Sequence, residues 1–517
     1  MLLNLRAMSE HTSADPARPH AVIIGSGFGG LAAAIRLGKR GFRVTVLEQL
    51  DAAGGRAYVF RQDGFTFDAG PTIITAPFLL EELWQMCGRR FADDVDLRPL
   101  QPFYRLRFFD GSVLDCTNDD ALMAAQIDRL APGDLAGYGR FLAASEAIYK
   151  VAFERLGHVP FDSWFDMVRL APELVRLGSY RSIYGLAASC VKDSRLRFAL
   201  SFHPLFVGGN PFNTTSVYGL IAFLERRWGV HFAIGGTGRI IEGLVGLIRG
   251  QGGEVRYGAK VAEICVSESR ARGARRATGV RLASGERIGA DIVVSNADSV
   301  ATYGDLVPAS LRRRWTDRKI ARARHSMSLF VWYFGTNRLY PEVAHHTILV
   351  GERYRELLRD IFDRKVLAED FSLYLHRPTA TDPQLAPPGC DAFYVLSPVP
   401  HLGGKTDWQT AAEPYRRSIA RVLSDTLLPD LERHVVTSRL MTPLDFRDRL
   451  SAPFGAAFGL APELTQSAWF RPHNRSEELQ GLYLVGAGTH PGAGIPGVLS
   501  SARVLDTVVP DAASFKR

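Results

Sequence analysis

His20-Ala21-Val22-Ile23-Ile24-Gly25-Ser26-Gly27-Phe28-Gly29-Gly30 decides the fold. An apolar run of strand length meets glycines in the pattern G-x-G-x-x-G, at Gly25, Gly27 and Gly30. Leu31, Ala34, Ile35 and Leu37 follow at helical spacing, and Val44-Thr45-Val46-Leu47 reads as a second buried strand. Strand, tight turn, helix and strand make a dinucleotide-binding unit. Gly25 allows the turn, Gly27 lets a pyrophosphate approach the backbone, and Gly30 lets the helix pack closely on the strand. The phosphates then meet free N–H groups at the positive end of the helix. Glu48 ends the second strand, 18 residues after Gly30, where a carboxylate accepts the hydroxyls of a ribose.

NAD and FAD share this unit, and the continuation separates them. Gly54-Gly55-Arg56 follows at once. The two glycines permit a backbone sharp enough to pass a dinucleotide, and Arg56 reaches phosphate or a flavin ring. Far downstream, Leu482-Tyr483-Leu484-Val485-Gly486-Ala487-Gly488-Thr489-His490-Pro491-Gly492-Ala493-Gly494-Ile495-Pro496-Gly497-Val498 offers a strand, bare backbone and a helix start. A flavin ring and its ribityl chain need that: close amides, and a helix N-terminus near the electron-rich edge of the reduced ring. Gly486, Gly488, Ile495, Pro496, Gly497 and Val498 are therefore candidate FAD contacts, with Gly25, Gly27, Gly30, Glu48, Gly55 and Arg56.

The Gly54-Gly55-Arg56 extension resembles the GG-doublet flavoproteins, which include amine oxidases, carotenoid desaturases and Rab GDP-dissociation inhibitors. The 482–498 run closely resembles the C-terminal signature of bacterial-type phytoene desaturases. Phe67-Asp68-Ala69-Gly70-Pro71-Thr72, Val207-Gly208-Gly209-Asn210-Pro211-Phe212 and Leu224-Glu225-Arg226-Arg227-Trp228-Gly229-Val230 agree with that family, as do 371–379 and 466–474. Amine oxidases usually carry an acid where Ala487 stands. The resemblance covers nearly all of the chain after residue 20. It implies an α/β fold: a Rossmann-like FAD domain of the GG-doublet type, with an inserted α+β substrate domain holding a mixed sheet and a helical part. It also implies FAD contacts at Gly70 and, through the backbone, at Val261.

Bulk properties fit this reading. At roughly 100–200 residues per domain, 517 residues exceed one simple core. We expect a leader over 1–19, with Met8 an alternative start. The FAD domain is expected from 20–80, 225–300 and 480–517, and the substrate and membrane-associating domain from 81–224 and 301–479. Hydrophobic residues are 46% and charged residues 22%, as in ordinary globular proteins. Five scattered cysteines without a CxxC pair suggest neither a disulfide framework nor zinc, and fit a reducing cytoplasm. No metal and no nucleic acid are expected. Residues 198–224 lack Asp, Glu, Lys and Arg, but Pro204, Gly208, Gly209 and Pro211 interrupt any membrane span. The stretch reads instead as buried wall of a large apolar space. Residues 77–224 read as mostly helical. Met327–Phe334 and Ala392–Val399 alternate like strands.

The resemblance implies FAD-dependent desaturation of phytoene, a C40 isoprenoid, toward neurosporene or lycopene, with a quinone or oxygen as final electron acceptor. At ~0.8 kcal/mol per buried CH₂, such a substrate strongly avoids water, so a membrane surface is an expected partner. The net charge of +8 suits one. Leu311–His325, with seven basic residues around Trp315, is the expected docking segment. Asp166 and Arg169 sit at i and i+3 in an apolar helical stretch, matching an acid and a base in the family pattern. As a pair they would steady a transient cation or take its proton. His203 reads as a satisfied core histidine. Three competing readings stand: a flavin amine oxidase, a desaturase of a later carotenoid, and a flavin-free isoprenoid carrier of the GDP-dissociation-inhibitor type.

Overall fold

A computed structural model describes residues 18–268 and 275–515, so the expected leader lies almost wholly outside the described residues. His20–Ile24, the helix Phe28–Lys39 and Arg43–Leu47 form the expected βαβ unit. Its strands belong to a five-stranded parallel sheet ordered Leu482–Leu484, Ile292–Ser295, His20–Ile24, Arg43–Leu47, Glu254–Arg256. Three separate stretches of chain thus build one sheet. The helices Phe28–Lys39, Thr237–Gly250 and Ile495–Val508 cover one face in a shared core. The antiparallel strands Val261–Glu268, Arg275–Leu282 and Arg287–Gly289 help cover the other.

A seven-stranded mixed sheet forms the second layer system. Its order is Val435–Met441, Ser328–Thr336, Asp391–Val399, Leu373–His376, His346–Val350, Tyr104–Phe108, Val113–Cys116. Alternation along Ser328–Thr336 divides the strand between two environments. Phe330, Trp332 and Phe334 pack in the core that includes Trp408 and Tyr415 of the helix Trp408–Thr426, whereas Leu329, Val331 and Tyr333 join the largest core, on the opposite face.

Residues 77–224 are mostly helical, as expected, and also hold the strands Leu97–Pro99, Tyr104–Phe108 and Val113–Cys116. Tyr104-Arg105-Leu106-Arg107-Phe108 carries period-two alternation, and its apolar residues are the buried ones. The closing helix begins at Ile495, and Pro496 occupies its first turn, where a missing N–H costs nothing.

Candidate active site

The glycine loop takes the shape its sequence demands. Gly25 has φ +89°, a region side chains rarely adopt, and a Cβ on Gly30 would overlap the Gly25 carbonyl oxygen. Gly54 donates its N–H to the Ser26 carbonyl at 3.1 Å, folding the glycine doublet back over the loop. Glu48 is buried. Its carboxylate accepts the Ser26 N–H (2.9 Å) and hydroxyl (2.6 Å) and the Leu50 N–H (2.9 Å). A carboxylate offers about four acceptor positions, so one remains for a ribose hydroxyl. Val261 lies in the same cavity wall, just past Ala259, which donates its N–H to the Glu48 carbonyl at 2.7 Å.

The C-terminal run meets this loop from the other side. Gly486 is held by a bond from its N–H to Ser501 Oγ (2.7 Å), and Gly488 accepts from Ser299 Oγ (3.1 Å). Ile495, Pro496, Gly497 and Val498 bring the first turn of the closing helix to the cavity, with its positive end. Arg56 donates through Nε to the Ala457 carbonyl (2.6 Å), and burial depresses its basicity while Asp298 opposes this. A guanidinium withdrawn from water beside an open glycine cradle suits an anionic, ring-bearing ligand. Gly70 lines the same space, its Cα packed on the Arg56 backbone.

Sequence reasoning missed Asn296, which lies among Gly25, Gly27, Gly29 and Gly486 and centres the cradle. It also missed Arg471. That residue is fully buried and donates to the carbonyls of Gln466, Leu460 and Ala487, bracing the glycine run. A lone Asn after a strand and an Arg in an irregular stretch carry no spacing signal.

From this cradle one cavity of about 840 Å³ continues into an apolar gallery. Phe198, Phe202, Phe206 and Leu220 from the uncharged 198–224 stretch line it, with Leu329 and Leu396 from the mixed sheet. Two clusters are among the polar groups in this wall. Glu225 is buried and accepts from the Tyr104 hydroxyl, with His203 Nε2 at 3.1 Å from its other oxygen. Thr72 Oγ1 lies 3.1 Å from the Tyr374 hydroxyl and 2.7 Å from that of Tyr394.

Asp166 and Arg169 do not form the expected ion pair. Asp166 sits at the third position of the helix Trp164–Arg176 and accepts the Ser163 N–H (3.3 Å) in a capping box, while Arg169 is exposed. The unpaired amide at a helix start outcompetes a solvated guanidinium for the carboxylate. Met167, Leu170 and Leu174 of this helix line the cavity instead. The basic 311–325 segment also differs from expectation. Trp315 is buried, stacked on Tyr303 and bonded to Glu477, and Arg312 is buried and paired with Asp317. Arg313, Arg318 and Arg322 remain exposed.

A dinucleotide cradle opening directly into an apolar gallery defines the class: an FAD-dependent oxidoreductase. The chain belongs to the phytoene desaturase family of flavin containing amine oxidoreductases. The model of the latter family matches residues 28–504. The chain is 50% identical to the neurosporene-forming phytoene desaturase of Cereibacter sphaeroides over 96% of each chain. It is 51% identical to the lycopene-forming phytoene desaturase of Pseudescherichia vulneris, covering 94% of this chain and 98% of that one. Among solved structures, an oxidoreductase from Methanosarcina mazei shares the fold with TM-score 0.61 at 18% identity, covering 95% and 100% of the two chains. Membership in this flavoenzyme family sets aside the flavin-free carrier.

Proposed function

We propose that this protein desaturates phytoene, introducing successive double bonds toward neurosporene or lycopene. The continuity of the glycine-lined cradle with the apolar gallery carries this reading. FAD, when bound, supplies the two-electron acceptor that receives hydride from an allylic carbon. The chain does the rest. Phe198, Phe202, Phe206 and Leu396 hold the polyene away from water, and each buried CH₂ contributes ~0.8 kcal/mol to its entry. Arg56, the Gly486–Gly488 backbone and the start of the closing helix fix the cofactor and favour negative charge on it. Asp166 is proposed to steady positive charge on the substrate from beside Met167 and Leu170, with Arg169 near it on the helix face. A quinone or oxygen would serve as the final electron acceptor.

We infer membrane docking at the helix Trp164–Arg176 rather than at Trp315. Trp164, Phe165, Val168 and Val175 are all more than half exposed on it, while Met167, Leu170 and Leu174 face the cavity. One helix thus offers apolar groups both outward and inward, as a gate between bilayer and gallery requires. Leu464 and Phe470 are further exposed apolar groups, and Arg314 of the basic segment stacks on Trp469 at 4.7 Å. Among the described residues, no helix is long and apolar enough to cross a membrane. The direct test is to incubate FAD-loaded protein with phytoene in anionic liposomes and identify the products. Unchanged phytoene, under either oxygen or added quinone, would refute the proposal.

A further inference from the structure

Desaturation releases a proton as well as a hydride, and the apolar gallery must pass that proton to water. Behind its wall lie three buried imidazoles, His345, His346 and His376. The Tyr374 hydroxyl, in the cavity wall, is 2.6 Å from His346 Nδ1. His376 Nε2 is 3.1 Å from His345 Nε2, and His345 Nδ1 is 2.7 Å from Thr381 Oγ1. Thr381 is half-buried and follows the exposed Ala380. Two buried nitrogens of the cluster have no hydrogen-bond partner: His346 Nε2 and His376 Nδ1.

We propose that Tyr374, His346, His376, His345 and Thr381 form a proton relay from the substrate cavity to the protein surface. The relay rests on the desaturase reading above. One set of tautomers satisfies every bond in one direction. Tyr374 donates to His346 Nδ1, which leaves a proton on His346 Nε2. His345 donates through Nδ1 to Thr381 and accepts at Nε2 from His376, which leaves His376 Nδ1 as an acceptor. The two unpartnered nitrogens are thus one donor and one acceptor. The rings of His346 and His376 stack with centroids 5.1 Å apart at 19°. A bridging water or a small swing of either ring joins them.

The step balances. One C–H bond of the substrate leaves as hydride to the flavin. The adjacent C–H bond breaks, its electron pair becomes the new double bond, and its proton goes to the Tyr374 oxygen as the Tyr374 proton moves to His346. Each imidazole then passes a proton onward, and one leaves beyond Thr381. Burial holds His345 down to about 3 and pushes His346 and His376 well below the usual histidine range, so all three rest neutral, each with one donor and one acceptor. A carbocation is far more acidic than any imidazolium, so transfer to so weak a base still runs downhill. A bound divalent cation is the competing use of three such imidazoles. It would stand in an apolar core near Arg377, whose charge already lowers His345, and among the described residues no carboxylate joins the cluster.

The test uses FAD-loaded protein with phytoene in liposomes, following flavin bleaching under anaerobic conditions and turnover with an acceptor. Tyr374→Phe and His346→Gln are expected to lower kcat by about 100-fold, the usual scale of a lost proton transfer, with unchanged FAD content. KM should stay within about threefold, because the gallery is intact. Thr381→Val, at the outer end, gives a smaller fall and guards against misfolding of the buried variants. Parent-like kcat in Tyr374→Phe and Thr381→Val overturns the relay alone. A parent that fails to bleach with phytoene overturns the desaturase reading and the relay together. A stoichiometric metal retained through dialysis in the parent assigns the histidines to a cation and also overturns the relay.

Discussion

Replacing Trp164 and Phe165 with serine should detach the protein from vesicles. The two rings lie against each other, 52% and 58% exposed, with centroids 4.2 Å apart. An aromatic side chain presents roughly 150–250 Å², so each leaves about 100 Å² of apolar surface in water. At about 25 cal/mol per Å², transferring both rings into lipid stabilises the bound state by about 5 kcal/mol. Incomplete insertion at half that value still corresponds to a roughly 70-fold change in partitioning. No residue of the helix Trp164–Arg176 is fully buried, and the Ser163–Asp166 capping box is untouched, so folding and FAD content should hold. Sedimentation with anionic liposomes measures the effect, with flavin absorbance as the control. Vesicle binding within about threefold of the parent would refute docking through this helix. Arg313, Arg318 and Arg322 changed together to Gln form the second arm. Their loss should cost about 1 kcal/mol each at low salt, fading as salt rises.

Three further outcomes are expected. Glu48→Ala removes the ribose acceptor and the pin on Ser26, so FAD affinity should fall by roughly 1.5–3 kcal/mol in a fluorescence titration, and parent-like affinity would displace Glu48 from the site. Asp166→Asn keeps a capping oxygen but removes the charge. Turnover should drop at constant melting temperature and FAD content, and unchanged turnover would leave capping as the whole role of Asp166. Asp68 is buried with its carboxyl raised to about 6 by desolvation, against a usual 3.8. The folded state then binds the proton more tightly than the unfolded chain, so this group lowers stability as pH rises from about 4 to about 6 and adds no slope above. Asp68→Asn should raise the melting temperature at pH 8 relative to the parent and lose that advantage near pH 4; an equal shift at both pH values would count against a titrating Asp68.

The cofactor end of the molecule was legible because its chemistry forces unusual residues at fixed spacing. Gly25, Gly30 and the 482–498 run announce themselves, since side chains there would collide with backbone or ligand. The wall at 198–224 was legible through its missing charges. What stayed hidden depends on convergence in space. His345 and His346 lie some thirty residues from His376 and meet through the pairing of His346–Val350 with Leu373–His376. Glu225 and Tyr104 are 121 residues apart. The pairing of Asp166 with Arg169 was misjudged because i,i+3 spacing shows that two residues share a helix face, not which partner the carboxylate prefers. Trp315 was misjudged because a basic, aromatic segment reads the same on a lipid surface as when folded against Glu477 and Glu478.

The sheet that cradles the cofactor draws its edge strand, Leu482–Leu484, from the far end of the chain. On the ribosome, Arg43–Leu47 emerges 435 residues before that strand begins. At about 5–20 residues per second, the nascent chain waits roughly 20–90 s with its glycine loop made and the Gly486–Val498 half of the cradle missing. The cradle therefore cannot close on FAD early, and the gallery walls at 198–224 are also made before its last side arrives. Closure of the cofactor site thus waits for the last strand and helix of the chain.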